Sequence, residues 1–541
     1  MTGPTSGPRP EPDEQPPAGF GPPPAPFEPH APAPPRPLPA TVPPRPAGDA
    51  GAGASAPSGR SGPSVPRRVI AVAALLASLL LIGSGAYHLT LTLRGAGEPA
   101  QPKAGPSGSP SVDQGDGKGP GGGSDTYDPN AGIRPGEARV WLRDHQSEVA
   151  GSGTAQYGPW RVGDTVVSAI HNGLTGYAVA DGQEKWKFPL QTSLCGVPPA
   201  PSANGRLVVA VKESASESSR CTHLQQIDLT TGQAGWKVAV PPENALDSTS
   251  QFELAISGDT VAVARTAVMS GFSVTDGRKL FGTSSPNGCY PTAFAGGSRL
   301  IGIRHCSDPK DARGPGRAMV EELDPATAAP KWSYKYEQDW TVGRVLSVDP
   351  LVIAAHHKDK KTWNITAFAA DGTIRSQGSP GFAVSGRCNG FGNASGFQEC
   401  YAAAADADTL YIGAGKPAAS LGIDDTNQVV AVDLNTGKER WRTAAQPKGR
   451  TMWPLAVEGG RVVVYVTPGS GEAGTVVSLA PSDGASQPVL QSPAAATGPQ
   501  SVFYTHGVRI AWAGGRLFLL NGRVYGPEPR KVSRAILSFG K

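Results

Sequence analysis

Few residues of this 541-residue chain are of a type and spacing that could do chemistry, and the six cysteines come first. They fall in three local couples, Cys195 with Cys221, Cys289 with Cys306, and Cys388 with Cys400. An even number at short separations, with no C-x-x-C, points to disulfides rather than metal sites. Disulfides persist in an oxidising compartment, so the part of the chain that carries them is expected to be exported. Each bridge closes a short loop and should limit the unfolded chain by roughly 3 kcal/mol. Cys195 and Cys289 are each expected in a connector ahead of a repeat's first strand, and Cys388 and Cys400 at the two ends of one long connector.

The remaining candidates are weaker. The run His356-His357-Lys358-Asp359-Lys360-Lys361 is the densest basic stretch and could hold an anion, but its place between two strand-like segments reads as a solvated hairpin turn. Ser307-Asp308-Pro309-Lys310 matches a bare S-x-x-K with none of the accompanying motifs of a serine acyl-enzyme. Asp424-Asp425 lacks the alternating carboxylates and central glycine of a calcium loop. No P-loop, G-x-S-x-G or H-E-x-x-H occurs. The reading is therefore no catalytic, cofactor-binding or metal residue. A net charge of +4, with Lys and Arg spread along the chain, gives no nucleic-acid footprint.

The elements that must position these residues are repeats. Val430 to Trp441 reads V-A-V-D-L-N-T-G-K-E-R-W: an alternating strand, an Asn-Thr-Gly turn that tolerates positive φ, and a tryptophan four residues after the glycine. Variants end in Trp186, Trp236 and Trp332, the last with Ala328 in place of the glycine, and Phe281 stands in for tryptophan after Gly277. These aromatics are read as apolar plugs at a fixed place in each repeat. After Gly372 and Gly484 the plug position holds Ser376 and Pro488.

Upstream of each copy stands a polar turn followed by an apolar run, beginning at Gly163, Gly205, Gly258, Gly297, Val348, Ala407, Gly460 and Gly515, which makes eight units. Their period of roughly 40 to 60 residues is that of four-stranded propeller blades. The fold class is all-β, an eight-bladed β-propeller over 137–541. Unit eight stops at Lys541 without an outer strand, while Ala138-Arg139-Val140-Trp141-Leu142-Arg143 stands alone before unit one, with Trp141 as the missing plug. That segment is expected to close the ring by completing the last blade, leaving no open edge.

Residues 1–68 are about one-third proline and are expected to form a disordered cytoplasmic tail. Residues 69–93 are an unbroken uncharged run long enough to cross a hydrocarbon core of about 30 Å as one helix. Arg60, Arg67 and Arg68 just before it place the N-terminus in the cytoplasm by the positive-inside bias. Residues 94–136 are a Gly/Pro/Ser-rich tether. The expected localisation is the plasma membrane, single-pass, with the propeller outside.

The repeat resembles that of the pyrroloquinoline-quinone-like (PQQ-like) propellers, whose units run G-x-[LVI]-[YV]-V and then A-x-D-x-x-T-G-x-x-x-W. The resemblance covers roughly residues 138 to 541 and extends to the propeller lipoprotein of outer-membrane assembly. The proline-rich tail, single span and pI near 8.6 look like an actinobacterial cell-envelope protein. Quinone-dependent dehydrogenases of the family carry an adjacent Cys-Cys pair and Glu, Asn and Asp calcium ligands, and no Cys-Cys occurs in this sequence. The resemblance implies the fold and, since the family holds both dehydrogenases and cofactor-free relatives, leaves the activity open; the reading is a cofactor-free, non-enzymatic binding or scaffolding module with a protein or cell-wall partner outside the cell. The alternatives are a quinone-dependent oxidoreductase, or a sensor domain relaying to the tail.

Overall fold

The computed structural model describes residues 127–541 except for short loop segments, the longest being 385–396 and 416–425. The expected tail, span and most of the tether lie outside the described residues. Among the described residues no helix is long and apolar enough to cross a membrane.

Eight antiparallel sheets follow one another in chain order. Blades 1 to 7 occupy 154–189, 194–239, 253–284, 289–335, 340–378, 403–442 and 452–491, each strand pairing with the next in sequence. First strands of successive blades touch one another and so line the axis, while fourth strands show the half-exposed alternation of an outer rim, as in Glu184–Pro189 and Pro330–Lys335. Second strands such as Thr260–Arg265 and Arg516–Asn521 are buried along their whole length, because a blade's two faces both pack on neighbours. Each blade interface holds its own apolar cluster, so the core is a ring of small cores.

Blade 8 is built from both ends of the chain. Its sheet runs Arg139–His145, Ser533–Gly540, Arg516–Asn521, Val508–Ala513 from rim to axis. Arg139 stands opposite Gly540 and Leu142 opposite Leu537, so the isolated N-terminal segment does supply the missing outer strand. A second clasp joins Arg523–Val524 to Thr154 and Ala155 at the start of blade 1.

The turn motif has a local physical cause. Asp181, Asp228, Asp276, Asp324, Asp371, Asp433 and Asp483 each accept the backbone N–H two residues on. The turn takes positive φ at a glycine next to the aspartate, φ 71° at Gly182, or four residues on, φ 74° at Gly232, with Ala328 in that place after Asp324, and reverses the chain into the fourth strand. At Asp433 the carboxylate also meets the Arg440 guanidinium at 2.6 Å. That pair, with N–H donors from Asn435 and Thr436, holds the Asp433 carboxyl at about 2. A depressed folded pKa adds stability above the unfolded value of about 3.9 and loses it as pH falls through about 2. Asp433→Ala should therefore cost about 1 kcal/mol at neutral pH after allowance for solvent screening, with the deficit shrinking between about pH 4 and pH 2. Urea unfolding of both proteins across that range checks it; a deficit that does not depend on pH refutes the ion-pair account.

Two sequence expectations need correction. Cys195 and Cys289 are not in connectors: they lie on the innermost strands Leu194–Gly196 and Cys289–Ala295. The turn-and-run signature that seemed to open each unit marks the second strand of its blade, as at Thr165–Ile170 and Arg461–Val466. First strands are short, as at Ala403–Ala405, or interrupted by Gly and Pro, as at Gly158 and Pro159 in Thr154–Val162, so they carry no period-2 signal. A short helix, Thr497–Val502, was also unforeseen; it sits in the connector between blades 7 and 8.

Candidate functional site

Around the axis the first strands enclose a cavity of about 430 Å³, lined by Pro159, Gly296, Val345, Ala404, Leu455 and Ile510 among others. Backbone and small side chains dominate because eight strands converge there and large residues cannot all fit. One cross-axis staple narrows it. Gln398, on the connector before blade 6, donates Nε2 to Gly296 O at 2.6 Å and accepts the Gly296 N–H at 2.7 Å. The same connector accepts the Val345 N–H through Phe397 O at 2.6 Å. It thus crosses blade 5 and ties blade 6 to blade 4. At the far rim Trp512 donates its indole N–H to Glu458 at 2.9 Å.

A charged cluster adjoins the cavity where blade 8 meets blade 1. Arg509, on the innermost strand Val508–Ala513, lays its guanidinium over the Tyr157 ring at 5.1 Å from the centroid. Its Nε is shut from solvent and has no hydrogen-bond partner. Burial pulls the Arg509 pKa below its usual value, against the opposing pull of the Tyr157 and Tyr401 hydroxyls, and burial likewise raises that of Tyr157. Arg523 also acts on Tyr157 and gives its own Nη1 to the carbonyls of Ser152 and Gly153.

The aromatic plugs sit at the rim and face the next blade. Trp141, Trp186, Trp236, Trp332 and Trp441 each cover the turn glycine of the following blade; a Cβ on Gly182 would lie 2.6 Å from Trp141. Trp141, Trp236 and Trp441 donate their indole N–H to carbonyls of that turn, Val179, Val274 and Pro481. The smaller ring of Phe281 packs with Ala328, whose φ of 58° keeps the turn although a Cβ is present. Ser376 replaces the indole donor with its hydroxyl, bonded to Leu434 O at 2.8 Å. Pro488 needs no donor, because blade 8 draws its third and fourth strands from opposite chain ends and has no turn there. These residues hold the ring together and stand away from the axis.

Two disulfides join described residues, Cys195–Cys221 and Cys289–Cys306. The first joins the first and third strands of blade 2, and the second joins register partners on the first two strands of blade 4. Cys388 lies outside the described residues, as do Asp308, Pro309, Lys310, Asp424 and Asp425. The basic run is a hairpin turn: His357 ends a strand, Lys358 to Lys361 are exposed, and His357 Nδ1 accepts from the Asp359 and Lys360 N–H groups.

The described residues that line the cavity do not fit a calcium–quinone pair. The cavity lining carries one carboxylate, Asp349, and no adjacent cysteines. Among the described residues no three of His, Cys, Asp and Glu stand close enough to hold a metal.

Eight four-stranded blades with aspartate-capped turns under aromatic covers define a PQQ-like propeller. The family described as outer membrane protein assembly factor BamB matches residues 131–288 and 320–530, and the chain belongs to that family. Among solved structures, BamB from Moraxella catarrhalis is similar at 15% identity and a TM-score of 0.40, over 74% of this chain and 100% of that one. The quinohemoprotein alcohol dehydrogenase ADHIIG from Pseudomonas putida HK5 is similar at 12% identity and a TM-score of 0.41, over 75% and 76%. A quinohemoprotein alcohol dehydrogenase from Comamonas testosteroni is similar at 11% identity and a TM-score of 0.41, over 75% and 76%. No curated protein matches the chain.

Proposed function

We propose that this protein is a membrane-anchored propeller outside the cytoplasm that binds a protein partner of the cell envelope and does no chemistry of its own. Membership of the assembly-factor family over most of the propeller carries this reading. The two disulfides support an oxidising compartment, and the run 69–93 supports a single span with the N-terminus inside. A rigid ring that presents loops on its faces suits binding, and fold alone does not confer catalysis.

Crosslinking of the full chain in its native membrane, followed by identification of the products, tests the reading. A reproducible protein adduct formed through the propeller is expected. No adduct, together with dye reduction by the full chain supplied with quinone and calcium, would replace it with an oxidoreductase; adducts confined to residues 1–68 would favour a relay through the tail. Non-reducing peptide mapping tests export separately. It should find Cys388 bonded to Cys400 beside the two bridges above, and free thiols in the mature protein would contradict export.

A further inference from the structure

We propose that the cleft between the outer strand of blade 8 and the facing side of blade 1 is a binding site for a neutral saccharide. The cleft holds about 910 Å³ and shares no lining residue with the axial cavity. Its floor is the sheet face of blade 1. Ser168, Thr175 and Lys187 are register partners in one row across three strands, and Ile170 and Gly173 are partners in the next. Ser168 is the polar exception at its place. In the other blades the middle residue of the second strand, on the side toward the preceding blade, is Val209, Val263, Ile353, Ile412, Val464 or Leu519, and Gly302 in blade 4. Ser168 is 2% exposed, and its hydroxyl has no hydrogen-bond partner among the described residues. A buried hydroxyl left unpaired is costly, and the other blades pack without one. Ser168, smaller than those aliphatic residues, and Gly173, with no side chain, leave the seam unfilled at this point.

Charge narrows the class of ligand. Arg143 and Lys187 in the lining are balanced by Asp144 and Glu184, so with His145 and His171 neutral the cleft carries no net charge. Both carboxylates are already paired, Asp144 with Arg534 at 2.8 Å and Glu184 with Lys187 at 2.8 Å. A charged ligand would enter without a counter-charge. Groups that both donate and accept supply the rest of the polar lining: Ser168, Asn172, Thr175 and Tyr177. Burial raises the pKa of the Tyr177 hydroxyl against a hydrogen bond with Thr175, and Glu184, Lys187 and Arg143 act on it as well. The phenol thus stands among the polar groups of the cleft. A sugar ring carries hydroxyls that donate and accept together, and C–H faces that lie against apolar surface such as Ile170 and the Tyr177 ring. A purely apolar ligand would strand the lining hydroxyls, and an extended peptide is read along a strand edge rather than on a sheet face. The Ser168 hydroxyl is shut from water, but its single side-chain torsion has staggered alternatives, so it reaches a ligand by turning, without backbone movement. The volume suits about two or three sugar rings. The site is independent of which protein the propeller binds.

The test is thermal unfolding of the full chain in a polyoxyethylene detergent, whose headgroup carries no sugar, with cellotriose, mannotriose or N-acetylchitotriose, against an end-blocked trialanine peptide. At least one trisaccharide should raise the melting temperature saturably, by about 2 °C at ten times its dissociation constant, and the peptide should not. The response should not depend on salt, because the ligand carries no charge. Ser168→Val, which installs the residue of the neighbouring blades, should abolish the response and melt no lower than wild type without sugar, since it removes an unpaired hydroxyl. Tyr177→Phe and Asn172→Ala should each weaken the affinity about tenfold. The proposal is overturned by a wild type that responds to none of the three sugars, by a Ser168→Val protein that responds as wild type does, or by a response to the peptide as large as that to sugar, which would make the cleft a peptide groove. If Ser168→Val fails to fold, Tyr177→Phe decides alone: unchanged affinity in that variant overturns the site.

Discussion

Replacement of Trp141 by alanine is expected to destabilise the propeller by about 3–5 kcal/mol, the range for deleting a buried large aromatic side chain. Trp141 is 8% exposed, packs edge-on to Phe518 at 6.2 Å, and donates to Val179 O at 2.9 Å. It lies on the outer strand of blade 8 and covers the turn of blade 1, so the lost side chain opens a cavity at the one interface where the two chain ends meet. Around it Arg143 donates to Gly182 O, Arg534 holds both oxygens of Asp144, and Arg516 reaches the carbonyls of Arg139 and Ala180. Removing 139–145 altogether deletes these contacts and the pairing with Ser533–Gly540, and exposes a sheet edge. The deletion should therefore cost more than the point change and promote association. Denaturant unfolding and light scattering of the full-length variants measure both effects; unchanged midpoints would refute closure by this strand.

Breaking the buried pair between blades 2 and 3 is expected to cost about 3 kcal/mol. Arg265 and Asp247 side chains are both 0% exposed and meet at 2.9 Å, with Glu243 at 3.2 Å and Phe252 under the guanidinium at 5.5 Å. Asp247→Ala leaves Glu243 as the one carboxylate at Arg265, beside the Pro241 carbonyl and Ser270 Oγ, and Glu243 already serves Lys279 and Ser270. The joint replacement Asp247→Leu with Arg265→Met should restore most of the loss, because a matched apolar pair is not penalised by desolvation. Equilibrium unfolding of the single and double variants decides it. A single variant as stable as wild type would show that the pair does not hold the connector from blade 2 to blade 3.

What the sequence determined is what local chemistry enforces. An aspartate that caps the turn, a residue able to take positive φ, and an aromatic four residues after it encode the turn and return strand locally, so the repeat and its plug residues were legible from Ala178 to Trp441. Cysteine spacing sufficed for Cys195–Cys221 and Cys289–Cys306, because each couple lies within one blade. The unfinished eighth unit and the stray Val-Trp-Leu segment made closure readable across almost the whole chain.

The axis was decided by tertiary structure alone. First strands are short or broken by Gly and Pro where they converge on the axis, so they lose the alternation that betrays a strand, and Cys195 and Cys289 were expected beside them rather than on them. Gln398 finds Gly296 at a separation of 102 residues, and Arg509 finds Tyr157 only because the ring brings the last blade against the first. Neither pair has a local spacing rule. Closing a ring sets together residues that the chain keeps far apart, and the groups around the axis take their environment from that closure.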